Sequence, residues 1–205
     1  MRALLMMCLV CACTGVRVTY VIFNSGRLNY TSTVQAELIR QNVASSDIMV
    51  YSPQPRVLKS LPRRHGDSIQ RVKWRSSLVL DHIDAMTLAR KKYPHAEYIC
   101  RLEDDIVLDK HAVANVQKWV HKCTPLCSLE ATQKGIYWGD GTRAIVSNVD
   151  DLTRLLQYLK HHYWADPLDW LMLYYSEQYG GVWTPKIPHQ IVKHAPAHKS
   201  TLVDK

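Results

Sequence analysis

The apolar positions of this chain follow two periods, one typical of strands and one typical of helices. Short runs of strand-forming residues extend over 18–23 and 96–102, and polar or turn-forming residues bound each run. Between these runs, apolar residues recur at helical spacing from Ser68 to Lys91, and Pro94 marks the end of that segment. The pattern predicts two strands with a long helix between them.

Five further elements follow from the same reasoning. They are a helix that Thr33 caps and that runs to about Gln41, a strand over 47–51, a helix around 110–120, a strand over 144–146, and a leucine-rich helix that Asn148 caps. The repeated order of strands and helices predicts an α/β fold built around a mainly parallel sheet.

With 205 residues, 47% of them hydrophobic and 21% charged, the chain has the balance of one globular domain. A chain of this length buries enough surface to form a core without the help of disulfides or a structural metal. Its net charge of +8 favours polyanionic partners such as phosphates, nucleotides or acidic surfaces. A nucleic-acid binder is one alternative, but no recognition motif supports it, and we expect no nucleic-acid partner.

The N-terminal segment has the composition of a secretory signal peptide. Arg2 precedes a short apolar run that ends near Gly15. The run is shorter than the roughly 20 residues that a membrane-spanning helix needs, so we expect no stable transmembrane anchor. We predict a signal peptide over 1–15, one domain over 16–205, and a location in the ER or Golgi lumen or outside the cell. The Asn-Tyr-Thr sequon at 29–31 agrees with that route; the alternative is a buried first strand of a cytosolic protein.

Removal of that segment would leave three cysteines, Cys100, Cys123 and Cys127. Cys123 and Cys127 flank Pro125 in a turn-like stretch, so the spacing allows one disulfide and one buried thiol. The pairing cannot be deduced from the sequence. The spacing does not suit a zinc site.

The strongest chemical signal is a group of three acids, Glu103, Asp104 and Asp105, that directly follows a predicted buried strand. Ligands of α/β sheets bind beyond the carboxyl ends of the strands, so acids at that position can hold a hard divalent cation through oxygen. Mn²⁺ or Mg²⁺ fits such ligands, and it would neutralise a departing nucleotide diphosphate. The alternative is a solvated turn.

A second candidate position for chemistry is Asp169, which begins an apolar helix directly after Pro167 and Leu168. One interpretation is a helix cap, because a carboxylate in the first turn satisfies free backbone amides and the helix dipole. The other interpretation is a general base that accepts the proton of an attacking sugar hydroxyl, since the helix start beside Trp170 is a rigid mount. The sequence leaves both open.

Basic residues at two places are weaker candidates. Lys73 and Arg75 on the long helix are candidates for attracting the diphosphate of a nucleotide, although an exposed helix face accounts for them equally well. Near the C-terminus, His189, His194 and His198 supply imidazoles, one of which could complete a metal shell. The alternative for each is a solvent-facing side chain.

Several separated motifs, in this order, resemble the N-acetylglucosaminyltransferase IV family. They are Leu102-Glu103-Asp104-Asp105-Ile106, Gly141 before a short apolar strand, Asp151-Leu152, Pro167-Leu168-Asp169-Trp170-Leu171, and Lys193-His194 with His198. The related GPI-glycan GalNAc transferases share much of this layout. The sequence departs from the family at Ala144 and Pro196, where the resemblance leads us to expect glycine.

The resemblance implies a GT-A fold and an inverting, metal-dependent transfer of a sugar, GlcNAc, from a UDP-sugar to a hydroxyl of a glycan or glycoprotein acceptor. It implies that Glu103, Asp104 and Asp105 form a DXD-type motif and bind the donor. It also implies that Asp105 and His194 are metal ligands and that Asp169 is the catalytic base. A carbohydrate-binding pseudoenzyme of the same fold, without turnover, is the principal alternative function.

Overall fold

The computed structural model describes residues 15–24, 28–58, 68–129, 143–181 and 191–194. Helices and strands alternate along these residues. In chain order they are β1 (Val18–Phe23), α1 (Leu28–Arg40), β2 (Ile48–Tyr51), α2 (Ile69–Lys92), β3 (Tyr98–Glu103), β4 (Ile106–Leu108), α3 (Ala112–Trp119), β5 (Leu126–Ser128), β6 (Ala144–Asn148), α4 (Val149–His162), α5 (Leu168–Gln178) and β7 (Val192–His194). Residues 1–14 of the predicted signal peptide and residues 130–142, which include Gly141, lie outside the described residues.

Five strands form the central sheet, in the order β2-β1-β3-β6-β5. β1 is parallel to β2 and to β3, whereas β6 is antiparallel to β3 and to β5. Four of the five strands therefore point the same way, which confirms the expected α/β fold with a mainly parallel sheet. β2 lies on one side of β1. The chain then passes through α2 to β3, which lies on the other side of β1. The carboxyl ends of β1 and β3 consequently flank a switch point, where such sheets bind ligands.

The sheet separates two apolar cores. On the first face, α1 and α3 pack against side chains such as Ile22 and Leu102. On the second face, α2, α4 and α5 pack against side chains such as Val21 and Ile99. Because successive residues of a strand point to opposite faces, each strand contributes to both cores. Burial on both faces explains why β1 and β3 are almost continuously apolar.

The prediction that Thr33 caps a helix is wrong, because α1 already begins at Leu28. Thr31, Val34 and Leu38 are all buried and follow helical spacing, so the stripe that packs on the sheet starts before Thr33. The 29–31 sequon therefore lies within α1, with the Thr31 side chain buried.

The predicted start of the long helix near Ser68 and the predicted Asn148 cap of α4 are confirmed. The Ser68 hydroxyl accepts a hydrogen bond of 3.2 Å from the Arg71 amide at the start of α2. The Asn148 side chain accepts a bond of 2.8 Å from the Asp150 amide at the start of α4. Both caps satisfy backbone donors that the first turn of a helix leaves without intrahelical partners.

A disulfide joins Cys123 to Cys127, and the thiol of Cys100 is free and buried in the first core. This is the arrangement that the spacing allowed. The bond closes the turn before β5, a three-residue strand that the sequence analysis missed. Cys8, Cys11 and Cys13 lie outside the described residues. Among the helices that the structure describes, none is long and apolar enough to span a membrane.

Candidate functional site

The three predicted acids lie at the carboxyl edge of the sheet. Glu103 is the last residue of β3, and its side chain is 29% exposed. Asp104 is buried and Asp105 is half-buried in the bend that leads into β4. Glu103 is paired in register with Phe23, the last residue of β1. The acids therefore stand beside the switch point of the sheet.

The last described segment of the chain runs past these acids. β7 pairs with β4 in antiparallel register, so the backbone of His194 is opposite Ile106, the residue that follows Asp105. The amide of Asp109 also donates to the Ile191 carbonyl at 2.9 Å, which extends the same ladder. The fold thus brings the backbones of two predicted metal ligands, Asp105 and His194, close together. The side chain of His194 and the whole of His189 and His198 lie outside the described part of the chain.

Asp169 lies at the second position of α5, directly after Leu168. Burial raises the pKa of its carboxyl; hydrogen bonds from the backbone amides of Trp170 and of Asp169 itself oppose that rise, and the negative charges of Asp166 and Glu103 add to it. The amide bonds mean that Asp169 does satisfy free donors at the helix start, as the capping interpretation has it. The effect of the Glu103 charge means that the two acids, far apart in the chain, lie within electrostatic range of each other.

Arg101 is a charged residue of this region that the sequence analysis missed. It lies on β3 two positions before Glu103, and its side chain is only 6% exposed. Two guanidinium nitrogens lie 3.3 Å from a Glu103 carboxylate oxygen. The guanidinium also lies over the ring of Phe23, 4.2 Å from its centroid. Burial lowers the pKa of Arg101, while the charges of Glu103 and Asp105 act in the opposite direction.

His82 packs against the same group from α2. Its ring is fully buried and stacks on Phe23 at 6.3 Å between centroids. Burial and the nearby charge of Arg101 hold the pKa of His82 well below its usual value, so the imidazole is neutral. The ring of Phe23 therefore has a cation and a neutral imidazole for neighbours. These contacts pack Phe23, Arg101 and His82 together beside Glu103.

The carboxyl end of β2 carries a second ion-pair group. Arg56 bonds to Asp81 at 2.8 Å and to Asp84, so it ties the segment after β2 to α2. Tyr51, the last residue of β2, lies 5.1 Å from the Phe23 ring. Burial raises the pKa of Tyr51, the charges of Asp81 and Asp84 raise it further, and Arg56 opposes them. Tyr51, Phe23 and Glu103 are thus the last residues of three neighbouring strands, β2, β1 and β3.

The other basic candidates are less closely defined. Lys73 is exposed and Arg75 is half-buried on the first turns of α2. Both remain predictions as donor-binding residues.

The donor set at this edge is mainly carboxylate oxygen. Oxygen ligands of this kind suit Mg²⁺ and Mn²⁺. The described residues contain no group of three or more His, Cys, Asp or Glu side chains arranged to hold a metal ion. The imidazole of His194, whose side chain lies outside the described part of the chain, is the predicted further ligand of an ion at Asp105.

A signal in the sequence could have identified Arg101. It is the one charge within the apolar run that forms β3 before the acids. A charge in a strand that is buried on both faces needs a partner, and the nearest acid on the same face is two residues later. Phe23 and His82 carry no comparable signal, because nothing in their local sequence distinguishes them from core residues.

No family model matches the chain. The chain is similar to the alpha-1,3-mannosyl-glycoprotein 4-beta-N-acetylglucosaminyltransferase A proteins of Xenopus tropicalis and Gallus gallus, each 27% identical over 153 residues. The match to the corresponding protein of Bos taurus is 26% identical over 152 residues. These matches cover 70–71% of this chain and 27% of the relatives, so the chain corresponds to about a quarter of their length.

Two solved structures are also similar. One is a glycosyltransferase involved in the glycosylation of the major capsid of PBCV-1, with a TM-score of 0.47, 10% identity, and coverage of 71% of this chain and 66% of that one. The other is the catalytic domain of Drosophila beta1,4galactosyltransferase 7 in complex with xylobiose, with a TM-score of 0.48, 14% identity, and coverage of 87% and 70%. The sequence matches confirm the resemblance that the motifs indicated: this chain is similar in sequence to the N-acetylglucosaminyltransferase IV proteins.

Proposed function

We propose that this chain is a GT-A glycosyltransferase domain that transfers GlcNAc from UDP-GlcNAc to a glycan hydroxyl, with inversion and with the help of Mn²⁺ or Mg²⁺. The observation that carries the proposal is that the buried carboxyl of Asp169 lies within range of the charge of Glu103, which stands at the switch point of the sheet. A buried acid with a raised pKa, close to the edge where such sheets bind ligands, is typical of a functional site.

The residues present fit a divalent cation. Asp105 supplies carboxylate oxygen, and the backbone of His194 lies beside the residue that follows Asp105. We infer that Asp105 and His194 would hold the ion, and that Glu103 and Asp104 belong to the donor-binding motif. When bound, such an ion supplies positive charge to the diphosphate that leaves with the nucleotide.

Asp169 is the proposed general base. It accepts the proton of the acceptor hydroxyl while that oxygen forms a bond to the anomeric carbon of the donor sugar. The bond between the anomeric carbon and the diphosphate oxygen breaks on the opposite side, so UDP leaves and the configuration inverts. A raised carboxyl pKa strengthens Asp169 as a base, and its bonds to the helix amides hold it in place.

The donor and acceptor follow from the relatives, whose names specify transfer of N-acetylglucosamine to an alpha-1,3-mannosyl glycoprotein. We therefore expect UDP-GlcNAc as the donor and a mannose-terminated N-glycan as the acceptor. The corresponding location is the lumen of the secretory pathway. The net charge of +8 agrees with binding of a diphosphate.

The test is a transfer assay on the full chain. Purified protein is incubated with Mn²⁺, with each of several UDP-sugars, and with or without an N-glycan that ends in α-1,3-mannose. UDP release and the mass of the glycan product are then measured. We expect acceptor-dependent UDP release with UDP-GlcNAc, and its loss on chelation of the metal.

Asp169→Asn is the decisive variant. We expect it to lower the transfer rate by about 10²–10⁴-fold, because the general base is removed, and to keep UDP-GlcNAc binding. Asp150→Asn is the matched control, since Asp150 occupies the same second position in α4 and is exposed. Sugar-nucleotide or glycan binding without any turnover would contradict the proposal and favour the pseudoenzyme. Salt-sensitive binding of DNA or RNA without need of Mn²⁺ would favour a nucleic-acid binder.

A further inference from the structure

An open cleft of about 480 Å³ lies between α4 and the C-terminal end of α5. Its lining shares no residue with the acids or with Asp169. The residues Arg154, Gln157 and Tyr158 of α4 face Gln178 and Tyr179 across it. A cleft of this volume is within the range typical of small-molecule sites, about 300–1,000 Å³. The proposed transfer reaction does not use it.

The lining offers both hydrogen-bond donors and hydrogen-bond acceptors. Gln157 and Gln178 are exposed, and each amide supplies both kinds of group. His161 and His162 complete the α4 side. The Nδ1 atoms of these two imidazoles lie 2.7 Å and 2.8 Å from the backbone carbonyls of Gln157 and Tyr158. A carbonyl can only accept, so each Nδ1 donates and each Nε2 is left to interact with a ligand.

The only guanidinium of the described lining is already balanced by an acid. Arg154 pairs with Asp151, and its Nε donates to the Tyr175 hydroxyl at 3.1 Å. Its guanidinium also lies over the Tyr179 ring, 4.3 Å from the centroid. These contacts compensate the positive charge and orient the group. The cleft is therefore polar without being a strong anion site.

The aromatic part of the lining is held rigidly. Tyr179 is the cap residue directly after the last residue of α5. Gly180, with φ of 73°, follows it in the left-handed conformation. The Gly181 amide donates to the Ser176 carbonyl at 2.7 Å, which closes a Schellman turn. A Cβ on Gly181 would lie 2.5 Å from the Ser176 hydroxyl oxygen, so only glycine fits there without rearrangement. Tyr179, 37% exposed, thus presents a fixed aromatic surface to the cleft.

We propose that this cleft binds a neutral oligosaccharide, as a sugar-binding site separate from the residues that carry the transfer. A sugar presents hydroxyls that both donate and accept, together with apolar ring faces that pack on tyrosine. The mixed amides, the imidazoles and the exposed Tyr179 match that chemistry. The lining alone indicates a polyhydroxylated ligand, whereas the choice of an N-glycan as that ligand rests on the proposed function.

The test is titration of the full chain with the trimannosyl-chitobiose core of N-glycans, with saturable binding measured by calorimetry and by NMR shifts of the glutamine side-chain amides. We expect the double variant Gln157→Leu/Gln178→Leu to bind about tenfold more weakly or worse, because two amides lose their hydrogen bonds to the sugar. Gln117→Leu, at an exposed position of α3, is the matched control and should bind like the wild type. Tyr179→Ala should weaken binding, whereas Tyr174→Ala, outside the cleft lining, should not.

Asp169→Asn separates this inference from the proposed function. We expect that variant to lose transfer and to keep glycan binding at the cleft, so a chain without turnover still tests the site. Three outcomes would overturn the inference: absence of saturable glycan binding to the wild type, unchanged binding by the double variant, or the same NMR shifts with sodium sulfate alone. The last would mean that the cleft takes an anion.

Discussion

The two faces of the sheet differ in the kind of polar group that they bury, and two consecutive residues of β3 illustrate it. Cys100 lies in the first core beside Tyr20, and Arg101 lies on the second face beside Phe23. Burial raises the pKa of the Cys100 thiol, and burial with a contribution from Cys100 raises the pKa of Tyr20, so both groups are neutral. Arg101 instead keeps its charge, with Glu103 as its partner.

Burying a charge costs several kcal/mol per ion, and replacing a whole buried ion pair by well-packed apolar residues is often neutral or stabilising. Stability therefore does not explain why Arg101 lies on the second face. Its contacts lead to Glu103, at the edge where the proposed donor binds. Our hypothesis is that Arg101 is a positioning residue for Glu103. On this view the first face serves stability, and the carboxyl edge of the second face serves chemistry.

The largest expected effect is on the first face. Leu38→Ala removes a side chain that is 1% exposed and leaves a cavity against the sheet. We expect the free energy of unfolding to fall by about 3 kcal/mol, with the transfer rate per folded molecule unchanged. Urea denaturation and the transfer assay measure the two quantities. A changed rate in fully folded protein would contradict the separation of the faces.

Arg101→Met should have an effect nearly as large, but on activity. We expect the transfer rate to fall about 100-fold, or about 2.7 kcal/mol of transition-state stabilisation, because Glu103 loses its fixed orientation. The Mn²⁺ concentration for half-maximal activity should rise, and the unfolding free energy should also fall, because Glu103, 29% exposed, is left without this partner. Cys100→Ala, at the neighbouring position, is the control. An unchanged metal requirement would leave Arg101 with a structural role only.

Cys100→Ser should have a smaller effect and only on stability. The hydroxyl would lie in an apolar core, where burial without a hydrogen bond costs about 1–3 kcal/mol. We expect a lower unfolding free energy than for Cys100→Ala, with normal transfer by both variants. Equal stability of the two variants would mean that the hydroxyl finds a partner in this core.

The smallest effect concerns the stability of Asp169→Asn. The pKa of Asp169 is raised in the folded protein, so the wild type binds its proton more readily when folded than when unfolded. The wild type therefore gains stability as the pH falls towards the unfolded pKa of an aspartate, near 3.9, and loses it as the pH rises through the folded value. We expect the variant to be slightly more stable than the wild type at neutral pH, and this difference in Tm to shrink in acid. A difference independent of pH would contradict that account.

Much of the secondary structure could be predicted because its signals are local. The periodicity of α2, its Ser68 cap and the apolar run of β1 all lie within a few residues of what they specify. The start of α1 was missed because Thr33 resembles a cap, although the buried stripe already includes Thr31. β5 was missed because three residues are too short to establish a period.

The sequence by itself determined that three acids follow a buried strand and that Asp169 begins a helix, because a residue's neighbours in the chain are fixed by covalent bonds. Only the tertiary structure decided that Asp169 lies within range of the Glu103 charge, that the backbone of His194 lies beside Ile106, and that Arg101 contacts Phe23. These contacts arise from the order of the strands and from helix packing on the sheet. Both depend on burial of apolar surface contributed by the whole chain, and no local pattern records how distant segments meet.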